Sequence, residues 1–111
     1  MVTDPKAINM LIESYASDVS NVFPVDKVVL FGSHAKGTAT PQSDIDICFF
    51  IGSFGNMRRI DIIKKLLDLM HKYKRIHFEP IVFPTDELQN DNPFVKEILR
   101  TGREIKFVRD I

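Results

Sequence analysis

Asp44 and Asp46 are the residues whose types and spacing most directly suggest chemistry in this chain. One residue separates them, so in an extended strand both side chains stand on one face while Ile45 and Ile47 point to the other. Two carboxylates held that close repel, and the usual relief is a shared proton or a divalent cation. A cation is the sharper expectation. Upstream, Gly32 and Ser33 follow the apolar run Val28–Phe31. A glycine at a strand end lets the backbone approach a phosphate closely, and the amides after it can donate to the anion. Phosphate turn and carboxylates are therefore expected on one rim.

A third carboxylate, Glu79, lies inside the apolar run Ile76–Phe83. A lone Glu there must sit at an edge, be paired, or serve a function. Pro80 beside it cannot donate to a ladder, which predicts an edge strand or a bulge. The three histidines, His34, His71 and His77, are too scattered to suggest a metal cluster. His77 shares strand parity with Glu79, which allows a supporting contact. Arg58, Arg59, Lys64, Lys65 and Lys72 read first as a solvated helix face. Arg58 and Arg59 have a second reading, as groups that reach a triphosphate or an acidic partner.

The elements that must hold these residues follow from periodicity. Asp4-Pro5 is a helix start, with Asp4 as cap and Pro5 at the first helical position. Ile8, Leu11, Ile12, Tyr15, Ala16, Val19 and Val22 then recur at three- and four-residue steps, predicting an amphipathic helix to about Asn21. Lys27–Phe31 is a short strand covered on both faces. Ser33–Lys36 fits one helical turn with Ser33 at its N-cap, and Thr38–Gln42 is a polar crossing interrupted by Pro41. Ser43–Ile51 is a second strand. A second long helix opens at Asn56 or Met57 and presents Ile60, Ile63, Leu66, Leu67, Met70 and Tyr73 inward. Residues 76–83 form a third strand, and Thr85-Asp86-Glu87 a short helical turn. Pro93 opens a last helix over 94–101, ended by Gly102 as a left-handed cap, and Glu104–Val108 adds a final strand. The order α, β, β, α, β, α, β gives an α/β class with a small mixed sheet flanked by helices.

Composition sets the outer limits. At 111 residues, with 44% apolar and 27% charged residues, the expectation is one globular domain over 1–111. Fifteen basic and fifteen acidic residues cancel, so a nucleic-acid-binding module, which needs a positive field, is disfavoured. The single cysteine, Cys48, sits in an apolar run and reads as a buried thiol in a reducing compartment. No stretch is long enough to span a membrane, and the N-terminus lacks a signal-peptide pattern. A cytoplasmic location with no membrane partner is the expectation.

The Gly32-Ser33 pair, ten residues, then Asp44-x-Asp46, with Gly37 and the run Ser43–Ile47, resembles the signature of the DNA polymerase beta-like nucleotidyltransferase superfamily. The short chain looks like its minimal members, which often pair with HEPN-domain proteins. The resemblance implies that Asp44 and Asp46 hold two magnesium ions, and that Gly32 and Ser33, with Ser43 and Lys36, bind the phosphates of ATP or another nucleoside triphosphate. Glu79 would complete the carboxylate set. Two metals roughly 4 Å apart would stabilise the entering and leaving oxygens of an in-line displacement at the α-phosphate. The implied activity is transfer of AMP, or another nucleoside monophosphate, to a hydroxyl. The larger relatives' acceptor-binding helical domain has no counterpart after Asp46, so a HEPN-type helical partner is expected to supply the acceptor. The alternative is a catalytically silent nucleotide-binding subunit. Homo- and hetero-oligomers, base preference and acceptor are left open by the sequence.

Overall fold

The computed structural model describes residues 4–74 and 76–108. Helix α1, Pro5–Ser20, opens as its sequence requires: the Asp4 side chain accepts from the Lys6 amide at 3.0 Å, and Pro5 takes the first helical position. Its buried residues, Ile12, Tyr15, Ala16 and Val19, form the predicted stripe, whereas Val22 beyond the helix end is exposed. Strand β1, Val25–Phe31, starts two residues earlier than the sequence suggests, with a ladder irregularity between Val25 and Lys27.

A four-residue helical turn, α2 (Ser33–Lys36), leads through the 37–44 crossing to β2, Ile45–Ile51, which pairs antiparallel with β1. Helix α3, Arg59–Leu69, and a 3₁₀ turn at Met70–Lys72 carry the chain over to β3, Phe78–Pro84, which lies parallel to β2. A parallel neighbour requires such a crossover. A second 3₁₀ turn, Thr85–Leu88, precedes α4, Pro93–Thr101, where Asn92 caps the Phe94 and Val95 amides. The two-residue β4, Arg103–Glu104, closes the mixed sheet in the order β3-β2-β1-β4. Pro80 thus sits on an edge strand, as its missing donor demands.

Side-chain alternation sorts the core into two layers. Leu30, Ile45, Ile47, Phe49, Phe78 and Val82 face α1 and α3, and Val29, Cys48 and Phe50 face α4 through Val95 and Ile98. Tyr15 ties the first layer together, stacking on Phe78 with ring centroids 4.4 Å apart and donating its hydroxyl to the Leu66 carbonyl at 2.6 Å. Burial pushes its phenol far above the usual range. Burial likewise pushes the Cys48 thiol up to about 12, so it behaves as a core apolar group.

Several expectations are corrected. Helix α3 starts at Arg59, not at Asn56 or Met57, because Arg58 forms the cap with Asp61. Of the expected inner face, Ile63, Leu66, Met70 and Tyr73 do pack on the core and are joined by Ile62, whereas Ile60 and Leu67 are 48% and 42% exposed. Apolar residues at 60, 62, 63, 66 and 67 offer two competing stripes, and packing on the sheet selects one. Gly102 is extended, with φ −87° and ψ 176°, rather than left-handed. It is small because the chain turns tightly against β1: a Cβ there would lie 2.6 Å from Val29 Cγ1 and 2.7 Å from the Leu30 carbonyl oxygen. The final strand stops at Glu104, although Ile105 still donates to the Val28 carbonyl at 2.8 Å and is buried.

Candidate active site

The strand registers bring the expected residues to one end of the sheet. Asp46 sits on the central strand β2, opposite Phe31 of β1 on one side and Glu79 of β3 on the other. Its neighbours in sequence, Ile45 and Ile47, are buried against the α1 and α3 layer, so its carboxylate points to the α4 face. Glu79 has the same parity as Ile81 and Phe83, which belong to the α4 layer. Asp44 lies just before β2 and is exposed, whereas Asp46 is half-buried.

Electrostatics record how close these groups stand. The Asp46 carboxyl is pushed up from 3.8 to about 6, first by burial, then by a hydrogen bond and repulsion from Glu79, and further by Asp44; His34 opposes the shift. A shared proton between Asp46 and Glu79 is thus the metal-free resolution of the repulsion. Because the folded value lies above the unfolded one, the stability contributed by protonated Asp46 is complete below about pH 4 and is lost as pH rises through about 6. NMR titration of the metal-free protein should show Asp46 ionising near pH 6, and Glu79→Gln should move that midpoint down; an unmoved midpoint would separate the two groups.

Gly32 occupies a position that only glycine suits. Its φ is +74°, and a Cβ added there would overlap Asp46 Oδ2 and lie 3.1 Å from Asp46 Cγ. Besides any phosphate, the glycine therefore accommodates the aspartate itself. It is also the N-cap of α2, which places Ser33 at the first helical position rather than at the cap where it was expected. Gly37, at φ +76°, ends the turn.

The remaining expected residues are distributed around this end. The Ser43 hydroxyl closes the crossing, accepting from the Thr40 amide at 2.9 Å and lying 3.2 Å from Thr40 Oγ1. The Ser43 carbonyl lies 3.3 Å from His34 Nε2. Lys36 is exposed and lies near enough to Glu97 of α4 to help lower its carboxyl. Arg58 pairs with Asp61 at 3.1 Å, and the Arg59 guanidinium lies 5.0 Å over the Phe83 ring. Neither arginine lines the carboxylate cleft. His77 lines a cavity on the opposite face instead of supporting Glu79.

Side chains whose part in the site the sequence did not indicate complete the cleft. Its volume is about 450 Å³, and Phe31, Leu67, Phe78, Pro80, Ile81 and Phe94 surround Asp46 and Glu79. Phe94 and Leu67 are 53% and 42% exposed, giving the carboxylates an apolar collar. His34, too far in sequence from the other histidines to suggest a metal site, stands on α2 directly after Ser33, and that adjacency was the signal that it belongs to the same rim.

Among the described residues, no three His, Cys, Asp or Glu side chains stand together as a ready metal cage. Magnesium does not require one, because it keeps water and phosphate oxygens and takes only one or two carboxylates. Asp46 against Glu79, with Asp44 close enough to raise Asp46, offers hard oxygen donors whose mutual repulsion a divalent cation would relieve. The donor chemistry fits such an ion.

Fold and site together define an α/β transferase domain of the nucleotidyl-transferring class. Comparison with known proteins agrees: residues 12–107 match the family described as nucleotidyltransferase domain. The chain belongs to that family. It is 34% identical to a Methanocaldococcus jannaschii protein provisionally named protein adenylyltransferase MJ1305, over 96% of this chain and 76% of the relative. A second protein of that organism, with the same provisional function, is 24% identical over 86% of this chain and 95% of its own length. Among solved structures, a provisionally named nucleotidyltransferase from Sulfolobus solfataricus superposes with a TM-score of 0.61 at 18% identity, covering 90% of this chain and 80% of that one. A toxin–antitoxin complex solved with AMP-PNP gives a TM-score of 0.54 at 19% identity, covering 86% and 73%. These likenesses establish the same fold. Among the described residues, no helix is long and apolar enough to cross a membrane.

Proposed function

We propose that this chain transfers AMP from ATP to a hydroxyl group on a partner protein, with magnesium held chiefly by Asp44 and Asp46 and with Glu79 completing the set from the edge strand. The observation that carries the reading is the alignment of Gly32, Asp46 and Glu79 across three adjoining elements at one end of the sheet. The provisional names of the two M. jannaschii relatives supply the nucleotide and the class of acceptor. The complex with AMP-PNP supplies a precedent in this fold for an assembly of toxin and antitoxin, and a HEPN-type helical protein is the first partner to try.

In the transfer, the acceptor oxygen forms a bond to the α-phosphorus while the bond from that phosphorus to the bridging oxygen breaks, and pyrophosphate leaves. When bound, divalent cations neutralise charge on the phosphate oxygens and make the hydroxyl more acidic. Glu79 takes the hydroxyl proton, a role open to it because its exposed carboxylate lies on the edge strand, in contact with Asp46 and with the solvent from which an acceptor arrives. Ser33 and the amides of the turn after Gly32 orient the triphosphate. The collar formed by Phe94 and Leu67 excludes water from one side of the cleft once an acceptor covers it.

The test mixes the chain with its cognate partner, labelled ATP and magnesium, and compares the parent with Glu79→Gln. Both should bind nucleotide, and only the parent should label the partner efficiently, with a loss on the order of 10²–10⁴-fold for the variant, the range general-base catalysis contributes. Equal labelling would remove Glu79 from the reaction. No labelling by either, with nucleotide still bound, would favour a silent nucleotide-binding subunit.

A further inference from the structure

A second cavity, of about 690 Å³, is not lined by Asp44, Asp46 or Glu79. It opens at the same end of the sheet but on the other face. Ile8 and Ile12 of α1, Leu30 of β1 and Ile45 of β2 make an apolar floor, and the 37–43 crossing and the segment before β3 form its walls. The cleft that holds the carboxylates has separate lining residues throughout.

Charge on the lining is one-sided. Among the described residues, His34, Lys74, His77 and Arg103 line the cavity, and no Asp or Glu does. The chain as a whole balances fifteen basic against fifteen acidic residues, so four cation-capable groups without a lining carboxylate mark a local exception. The Arg103 guanidinium is held by the neutral Asn9 side chain at 2.9 Å, which orients it without cancelling its charge. Among the described residues, Lys74 and His77 enter no ion pair.

We propose that this cavity is a second small-molecule site, separate from the carboxylate cleft, that takes an anion of mononucleotide size with a flat apolar body. The volume falls within the range of roughly 300–1,000 Å³ typical of ligand pockets, and an apolar floor with few polar groups is their usual composition. A heteroaromatic ring lies against the aliphatic floor, Thr40 and Gln42 offer polar partners to its edge, and a phosphate meets Arg103, with Lys74 on the opposite wall beyond the two central strands. Occupancy bears on the active site through one short path. The crossing that walls the cavity ends in Ser43, whose carbonyl meets His34 and which directly precedes Asp44. The site itself does not depend on the transfer reaction proposed above.

The experiment titrates the full chain with AMP in the presence of a metal chelator, using calorimetry, so that a metal-dependent site is silent. The parent should bind at micromolar to millimolar concentration, Arg103→Ala should weaken binding at least about tenfold, Lys74→Ala should weaken it less, and Asp46→Asn should bind as the parent does. Ala39 lines the cavity from the exposed crossing, so Ala39→Trp should obstruct it without disturbing the core, with circular dichroism confirming the fold. Failure of AMP to bind the parent at millimolar concentration would overturn the proposal. So would binding that survives Lys74→Ala, Arg103→Ala and Ala39→Trp, or binding lost in Asp46→Asn, which would return AMP to the carboxylate cleft.

Discussion

Asp46→Asn is expected to abolish magnesium-dependent nucleotide binding and transfer while leaving the fold at least as stable as the parent at neutral pH. The two halves of that expectation have one cause. Asp46 is a half-buried carboxyl placed against Glu79 and near Asp44, and its ionisation is opposed by burial and by both neighbours. Ionised Asp46 therefore costs the metal-free protein stability at neutral pH, and a neutral amide of the same shape removes that cost while keeping a hydrogen-bonding group toward Glu79. The same substitution removes the one carboxylate that the central strand fixes between Gly32 and Glu79. A preorganised electrostatic group at a phosphoryl-transfer site is worth on the order of 10²–10³-fold in rate, and a lost metal ligand should cost at least that. Calorimetry with ATP and magnesium, together with thermal unfolding, measures both. Unchanged nucleotide affinity would remove Asp46 from the metal site, and a large fall in melting temperature would mean that its charge is a structural asset rather than a burden.

The residues that make that contrast possible were legible because their signals are local. Asp44-x-Asp46 reports its own strand parity, Gly32 punctuates the end of an apolar run, and Pro80 can only be an edge residue where a parallel ladder exists on one side. The register that sets Asp46 beside Glu79 was not legible, since it depends on how α3 returns the chain to the sheet. Nor was the orientation of α3 itself, because its apolar residues supply two stripes and only tertiary packing chooses Ile62 and Leu66 over Ile60 and Leu67. The consequence reaches the site: the rejected stripe leaves Leu67 exposed at the carboxylate cleft, where it forms part of the collar with Phe94. Gly102 shows the other limit. A glycine after a helix commonly means a left-handed cap, but here the demand comes from the Ile98 carbonyl of the preceding helix together with the side chain of Val29 and the carbonyl of Leu30, the last two more than seventy residues earlier in the chain.

Gly32→Ala should be the most damaging single-methyl addition in the site, and its damage should depend on Asp46. Two costs combine at this position. At φ +74° and ψ −154° the backbone is in a region that is essentially glycine's alone, so a non-glycine residue carries strain of roughly 1–3 kcal/mol. The added Cβ also overlaps Asp46 Oδ2, with Asp46 Cγ at 3.1 Å and Cβ at 3.3 Å, so the carboxylate must leave its place between the strands. Forced displacement of a packed group adds about 1–3 kcal/mol, and the displaced carboxylate takes metal binding and transfer with it. Gly37 supplies a milder control: at φ +76° and ψ 16° it is left-handed helical, which costs a non-glycine residue roughly 1–2 kcal/mol, and nothing lies within 4 Å of its would-be Cβ. Gly37→Ala should cost only the strain. The decisive measurement is the double variant: Asp46→Ala removes Oδ2 and Cγ, so denaturant unfolding of Gly32→Ala combined with Asp46→Ala should recover the part of the lost stability that the clash causes, leaving a backbone-strain deficit at least as large as that of Gly37→Ala. Activity should stay absent in the double variant. Additive stability losses would show that Gly32 and Asp46 do not meet, and the glycine would then be required by the phosphate turn alone.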